Sequence, residues 1–144
     1  DVFREGAAAV DEHWFGGIPD GGLVRPSGDT APAEALVAAL AGDADLVVVV
    51  GDGYENRSAG RFAETLAAAR ALGIRTPVVQ LAPVVAAETG GVRALAPDLP
   101  AAVVQQVAGI ELALCRLMLD IDPAAAAGTL ARWSAGLELE EVSR

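Results

Sequence analysis

Asp45-Leu46-Val47-Val48-Val49-Val50-Gly51-Asp52-Gly53-Tyr54-Glu55-Asn56 is the most informative segment of the chain. Side chains of a strand alternate between its two faces, so five consecutive branched apolar residues, Leu46 to Val50, cannot be divided between core and water. The run is expected to be a strand buried on both faces, the signature of a central parallel strand. It stops at Gly51-Asp52-Gly53, where the backbone can turn sharply, and Asp52 is then presented beyond the strand's carboxyl end. In open α/β sheets ligands bind at that edge.

Outward from this strand the pattern is that of an α/β domain. On the amino-terminal side, Thr30 is a good N-cap and Pro32 fits a first helical turn. Ala33, Leu36, Val37 and Leu40 make an apolar stripe, and Gly42 ends the helix. On the other side a helix is predicted from about Ala59 to Leu72, with Phe62, Leu66 and Ala69 facing the sheet. Arg61, Glu64 and Arg70 can face water, and Gly73 terminates it. Thr76 to Leu81 is then a second strand, and strand, crossover helix and strand make a βαβ unit with parallel strands.

Beyond Pro83 the chain is punctuated by Gly90-Gly91, Pro97 and Pro100. A helical turn is expected near Val85–Glu88 and a short edge strand near Val92–Leu95. From about Ala102 to Leu119 a long helix is predicted, with Val103, Val107, Ile110, Leu114 and Leu117 on one face. Asp122 and Pro123 start an additional carboxyl-terminal helix over 123–138, with Leu130, Trp133 and Leu137 on its apolar side. At the other end residues 1–30 read as irregular. Asp1 to Val10 suits a helical piece, and His13-Trp14-Phe15 suits the close of a strand. The five Gly and two Pro between Gly16 and Gly28 suit turns and loop. Trp14 and Phe15 read as packing residues, since no basic cluster accompanies them.

At 144 residues, 53% of them hydrophobic, the whole chain 1–144 reads as one globular domain with its α/β core at 31–120. No apolar run is long enough to span a bilayer, and no secretion signal is visible, so a cytoplasmic location without a membrane partner is the expectation. The net charge is -10 and every basic residue is Arg. Such a balance repels phosphate backbones and argues against direct nucleic-acid binding. The single cysteine, Cys115, excludes an internal disulfide and reads as an inert core thiol. The lone His13 excludes two-histidine zinc motifs.

Two loops can converge at the carboxyl edge of the sheet, Ser27-Gly28-Asp29-Thr30 and Gly51–Asn56. Their hydroxyl, carboxylate and amide groups are oxygen ligands, suited to Mg²⁺, Mn²⁺ or Ca²⁺ rather than zinc. The same residues also have an ordinary reading. Thr30 caps a helix, Asp52 accepts backbone amides within its own turn, and Glu55 and Asn56 sit in solvent.

Pro26-Ser27-Gly28-Asp29-Thr30, the Ala/Leu-rich helix and Leu46–Asn56 together resemble the later part of a von Willebrand factor type A (vWA) domain. The nearest flavour is that of bacterial Ro/TROVE-like proteins, which carry a similar Asp-Gly-Tyr-Glu-Asn stretch followed by a helix like Ala59-Gly60-Arg61-Phe62. The resemblance covers roughly residues 20 to 120 and implies a Rossmann-like fold, a mostly parallel sheet flanked by helices. It also implies a metal-ion-dependent adhesion site (MIDAS) built from three loops. On that basis Thr30 and Asp52 would supply the second and third loops, with Ser27 and Asp29 as weaker candidates. The first loop, Asp-x-Ser-x-Ser after an apolar strand, is not seen: Asp1-Val2-Phe3-Arg4-Glu5 has Phe and Glu where the serines belong. The domain is therefore atypical or truncated at its amino end, or another chain completes the sheet. Gly51 also replaces the Ser or Thr that commonly precedes the third-loop Asp.

The function implied is non-enzymatic protein association. A divalent cation would bridge the domain to an acidic residue of a protein partner, with Tyr54, Glu55 and Asn56 lining the contact. The alternative is a Mg²⁺-dependent hydrolase or phosphoryl-transfer enzyme using Asp52, with His13 as a possible base. There is no Walker loop and no Lys, and no Asp-x-Asp pair follows the strand. The terminal helix, with Trp133 and Leu137, offers a homo-oligomer face.

Overall fold

The computed structural model describes residues 3–4, 7–20, 23–25, 27–83, 92–124, 126–128 and 131. In chain order the elements are β1 (Ile18–Asp20), β2 (Leu23–Arg25), α1 (Pro32–Leu40), β3 (Val47–Val50), α2 (Arg61–Ala71), β4 (Val78–Pro83), β5 (Ala101–Val104) and α3 (Ile110–Ile121). A 3-10 turn at Val107–Gly109 leads into α3. Strands β3, β4 and β5 form a parallel sheet in that order, and β1 and β2 form a separate antiparallel hairpin. The α/β class and the βαβ unit β3–α2–β4 are as expected, with Val47 opposite Val78 and Val50 opposite Leu81.

The sheet is filled from both sides. Leu36 and Leu40 of α1, Phe62 and Ala69 of α2, Val47, Val49 and Val78 make one buried cluster, joined by Leu95 and Leu99. On the opposite face Val79 and Leu81 pack with Leu117 of α3, and Leu46, Val48, Ile110 and Leu114 lie against them. The valine run thus contributes to both core layers, as its lack of alternation required.

Its position in the sheet corrects the expectation. Among the described strands β3 lies at the edge, and β4 is central. The Gly51 N–H donates to the Leu81 carbonyl on one side of β4, while the Gln80 N–H donates to the Pro100 carbonyl on the other. Val78 through Ala82 are all buried, whereas Val50 is 49% exposed. A continuous apolar run reports cover on the two faces of a strand; it carries no information about the two edges.

A second correction concerns residues 92–109. Residues 92–95 form no strand. Ala101–Val104, expected to open a long helix, is instead β5, and the helix begins at Ile110. Ala-Ala-Val-Val suits either state over so few residues. The open flank of β4 supplies hydrogen-bond partners for an extended segment, and helical backbone starts only at the 3-10 turn Val107–Gly109. Val103 and Val107, assigned to an apolar helix face, are accordingly exposed, while Leu117 is buried.

Near the amino end Ile18–Asp20 and Leu23–Arg25 are strands where turns and loop were expected. Asp20 faces Leu23 across the pair, so two residues, Gly21 and Gly22 in the sequence, connect the strands; a two-glycine link between short apolar segments is a hairpin signal. His13-Trp14-Phe15 closes no strand. Phe15 packs against the first core cluster, but Trp14 is more than half exposed and is not a packing residue.

Helix α1 starts at Pro32 with Ala31 in the capping position and no side-chain cap, so Thr30 does not cap it. The Ala31 N–H is taken by the Phe15 carbonyl (3.0 Å), and Pro32 has no N–H to offer a cap. Val37 faces outward rather than joining the stripe. Arg70 does not simply face water: its guanidinium donates to the carbonyls of Ile74 (2.8 Å) and Thr76 (2.9 Å), tying the end of α2 to the approach to β4. After α3 the Ala124 N–H donates to Asp122 Oδ1 (3.1 Å), an N-cap for the helical residues Pro123–Ala124. The expected apolar positions Leu130, Trp133 and Leu137, and the helical turn at Val85–Glu88, lie outside the described residues.

Candidate functional site at the carboxyl edge of the sheet

The loop after β3 is held by hydrogen bonds at three points. At its start the Gly51 carbonyl accepts from Gln80 Nε2 (3.3 Å). That amide is fully buried in β4; it also donates to the Arg93 carbonyl (3.0 Å), and its Oε1 accepts the Leu95 N–H (2.9 Å). One side chain therefore ties the loop, the central strand and the segment leading toward β5. In mid-loop Asp52 Oδ1 accepts the Tyr54 N–H (3.1 Å), closing an Asx turn. This is the ordinary turn chemistry weighed for Asp52 from the sequence.

Between these points Gly53 adopts φ +81°, and a Cβ there would lie 2.0 Å from the Arg93 carbonyl oxygen. Only glycine fits this crossing. The same close approach brings the Arg93 guanidinium over the Tyr54 ring, 4.3 Å from its centroid.

The third point is Glu55. Its two oxygens accept the Gly60 N–H (2.7 Å) and the Phe62 N–H (2.8 Å) at the start of α2. A carboxylate there satisfies amides that have no partner within the helix and interacts favourably with the helix dipole. Glu55 is thus engaged in the fold, not free in solvent, whereas Asp52, Tyr54 and Asn56 are exposed.

The second candidate loop lies against other neighbours. Thr30 packs beside Gly16 and lines a shallow depression with Glu34, Glu55, Arg57, Ser58 and Arg61. Asp52 is not among the described residues lining that depression. Ser27 accepts the Gly17 N–H through its backbone carbonyl (3.1 Å), and the Ser27 and Asp29 side chains are exposed. His13 lies beside Asp11 (3.2 Å) at the surface. Cys115 is buried in α3, where burial first and Glu111 second push its thiol pKa up, away from the reactive thiolate.

Gln80 and Arg93 had no role in the sequence reading. A polar residue within Val-Val-Gln-Leu-Ala was a signal for the first, because a buried amide must find partners. Arg93 carried none; only the folded chain brings it across Gly53. Comparison of this chain with protein-family models, with curated proteins and with solved structures returns no match.

Proposed function

We propose that the chain is a vWA-like α/β module, non-enzymatic, that associates with a protein partner through the Gly51–Asn56 loop. The observation carrying this reading is the fixed presentation of exposed Asp52 and Tyr54 on a loop tied by Gln80, by its own Asx turn and by Glu55. A surface ordered before contact loses little entropy on binding. Tyr and Arg, here stacked as Tyr54 and Arg93, are residue types enriched among interface anchors.

In the cation-assisted form of this function Asp52 and Thr30, aided by Ser27 or Asp29, would hold Mg²⁺ or Mn²⁺, or Ca²⁺, and an acidic residue of the partner would complete the oxygen ligands. Calorimetric titration of Mg²⁺ and Mn²⁺ into wild type and Asp52→Ala tests it. Saturable binding in the wild type that is lost in the variant supports a cation site, and identical flat traces remove it. Direct, metal-free association through Tyr54 and Asn56 would survive flat traces and is tested by Tyr54→Ala in pull-down with the partner.

A further inference from the structure

We propose that the edge of β3 left unpaired among the described strands takes up an added β-strand, apolar along its middle and basic at its ends, from a polypeptide segment other than residues 1–144. This concerns the sheet edge and goes beyond the reading of the Gly51–Asn56 loop. The Val47 N–H donates to the Pro77 carbonyl (2.9 Å) and the Gly51 N–H to the Leu81 carbonyl (3.0 Å), both toward β4. Because backbone groups of a strand alternate in direction, Val48 and Val50 point their N–H and C=O groups away from β4. Among the described strands, none pairs with that side.

Edge strands are ordinarily blunted by charge, proline or a bulge. The hairpin strand β1 carries Pro19 and Asp20; β3 carries four valines preceded by Leu46. Both faces of β3 are also already covered, Val47 and Val49 by one core layer and Leu46 and Val48 by the other. A strand laid alongside would extend two existing layers while pairing the outward N–H and C=O groups.

Charge selects the occupant. Asp43 and Asp45 are exposed before the strand and Asp52 after it, with no basic residue between Asp43 and Asn56. A complementary strand carries Arg or Lys at its ends. A second copy of this chain does not fit: two-fold pairing through one shared edge is antiparallel, and centring it on Val49, so that outward Val48 faces outward Val50, brings the Asp43 and Asp45 end of each copy against the Asp52 end of the other.

The test uses a synthetic peptide of alternating valine and threonine between paired arginines, titrated into the 144-residue chain by calorimetry. A Val50→Pro variant is the control, since proline is tolerated where an edge N–H faces outward, and it removes one of the outward donors. The expected result is saturable binding, at least ~10-fold weaker for Val50→Pro and for a peptide with glutamates in place of the arginines. Hydrogen exchange at the Val48 and Val50 amides should be fast in the free protein and slow with peptide bound. If Val50→Pro fails to fold, these two amides decide the matter in the wild type alone. The proposal is overturned by absence of binding, by equal binding to the variant, or by amides already protected without peptide. Dimers in sedimentation that Val50→Pro abolishes would likewise give the edge to a second copy.

Discussion

Strands β3 and β4 look alike in composition and differ in what surrounds them. β3 is pure valine and lies at the edge of the described sheet; β4 contains a glutamine and lies at its centre. The purely apolar strand is thus the less enclosed of the two. Side-chain character reports the faces of a strand, whereas centrality depends on hydrogen-bond partners along both edges. β4 can carry Gln80 because three backbone groups from two flanking segments satisfy it.

Truncating one branched apolar side chain in each strand separates the two environments. Leu81→Ala in β4, at a site only 2% exposed, should cost about 2–5 kcal/mol in urea unfolding. Val50→Ala in β3, half exposed, should cost under about 1 kcal/mol. Equal losses would mean that β3 is enclosed as fully as β4.

Gln80→Leu keeps the centre of β4 apolar but strands the Leu95 N–H and removes the donor to Gly51 and Arg93. A loss of about 1–3 kcal/mol is expected, with faster hydrogen exchange in the Gly51–Asn56 loop. If the stability loss came without loop loosening, Gln80 would be a core residue with no part in positioning the loop.

Glu55→Ala removes the carboxylate from the start of α2 and should cost about 1 kcal/mol, while Asn56→Ala should be near neutral. Thermal melts of both variants compare the two neighbours directly.

The smallest effect belongs to Cys115. Its folded pKa is raised above the ordinary 9.0, first by burial and second by Glu111, so the native state keeps the proton longer than the unfolded chain. The associated stability is fully present below pH 9.0 and is lost as pH climbs through the raised value. Urea midpoints from neutral to alkaline pH should fall slightly more steeply for wild type than for Cys115→Ala, and the thiol should resist a thiol reagent until unfolding.

The legible parts of the chain were those where local chemistry and tertiary environment agree. Helix α2 follows from Phe62, Leu66 and Ala69 at helical spacing and from Gly73 at its end, where φ is +85°. Asp122 before Pro123 announced the next helical start. Residues 102–104 are strand where helix was expected, because so short an apolar run suits either state. The loop at Gly51–Asn56 was placed at the right edge of the sheet, and the turn chemistry of Asp52 was among its readings. Its supports were only partly visible: Gln80 announced itself as a polar residue in an apolar strand, whereas Arg93 is more than 35 residues further along the chain.

Local pattern was enough to show that this chain is α/β, that the valine run is a strand feeding core layers on both faces, and that a turn with an exposed carboxylate follows it. Those properties depend on neighbours a few residues away and on the alternation of side chains. Tertiary structure decided that β4 is central, that β5 exists, that Glu55 serves α2 and that Arg93 lies on Tyr54. Each of these rests on a contact or hydrogen bond whose other half no short-range pattern specifies.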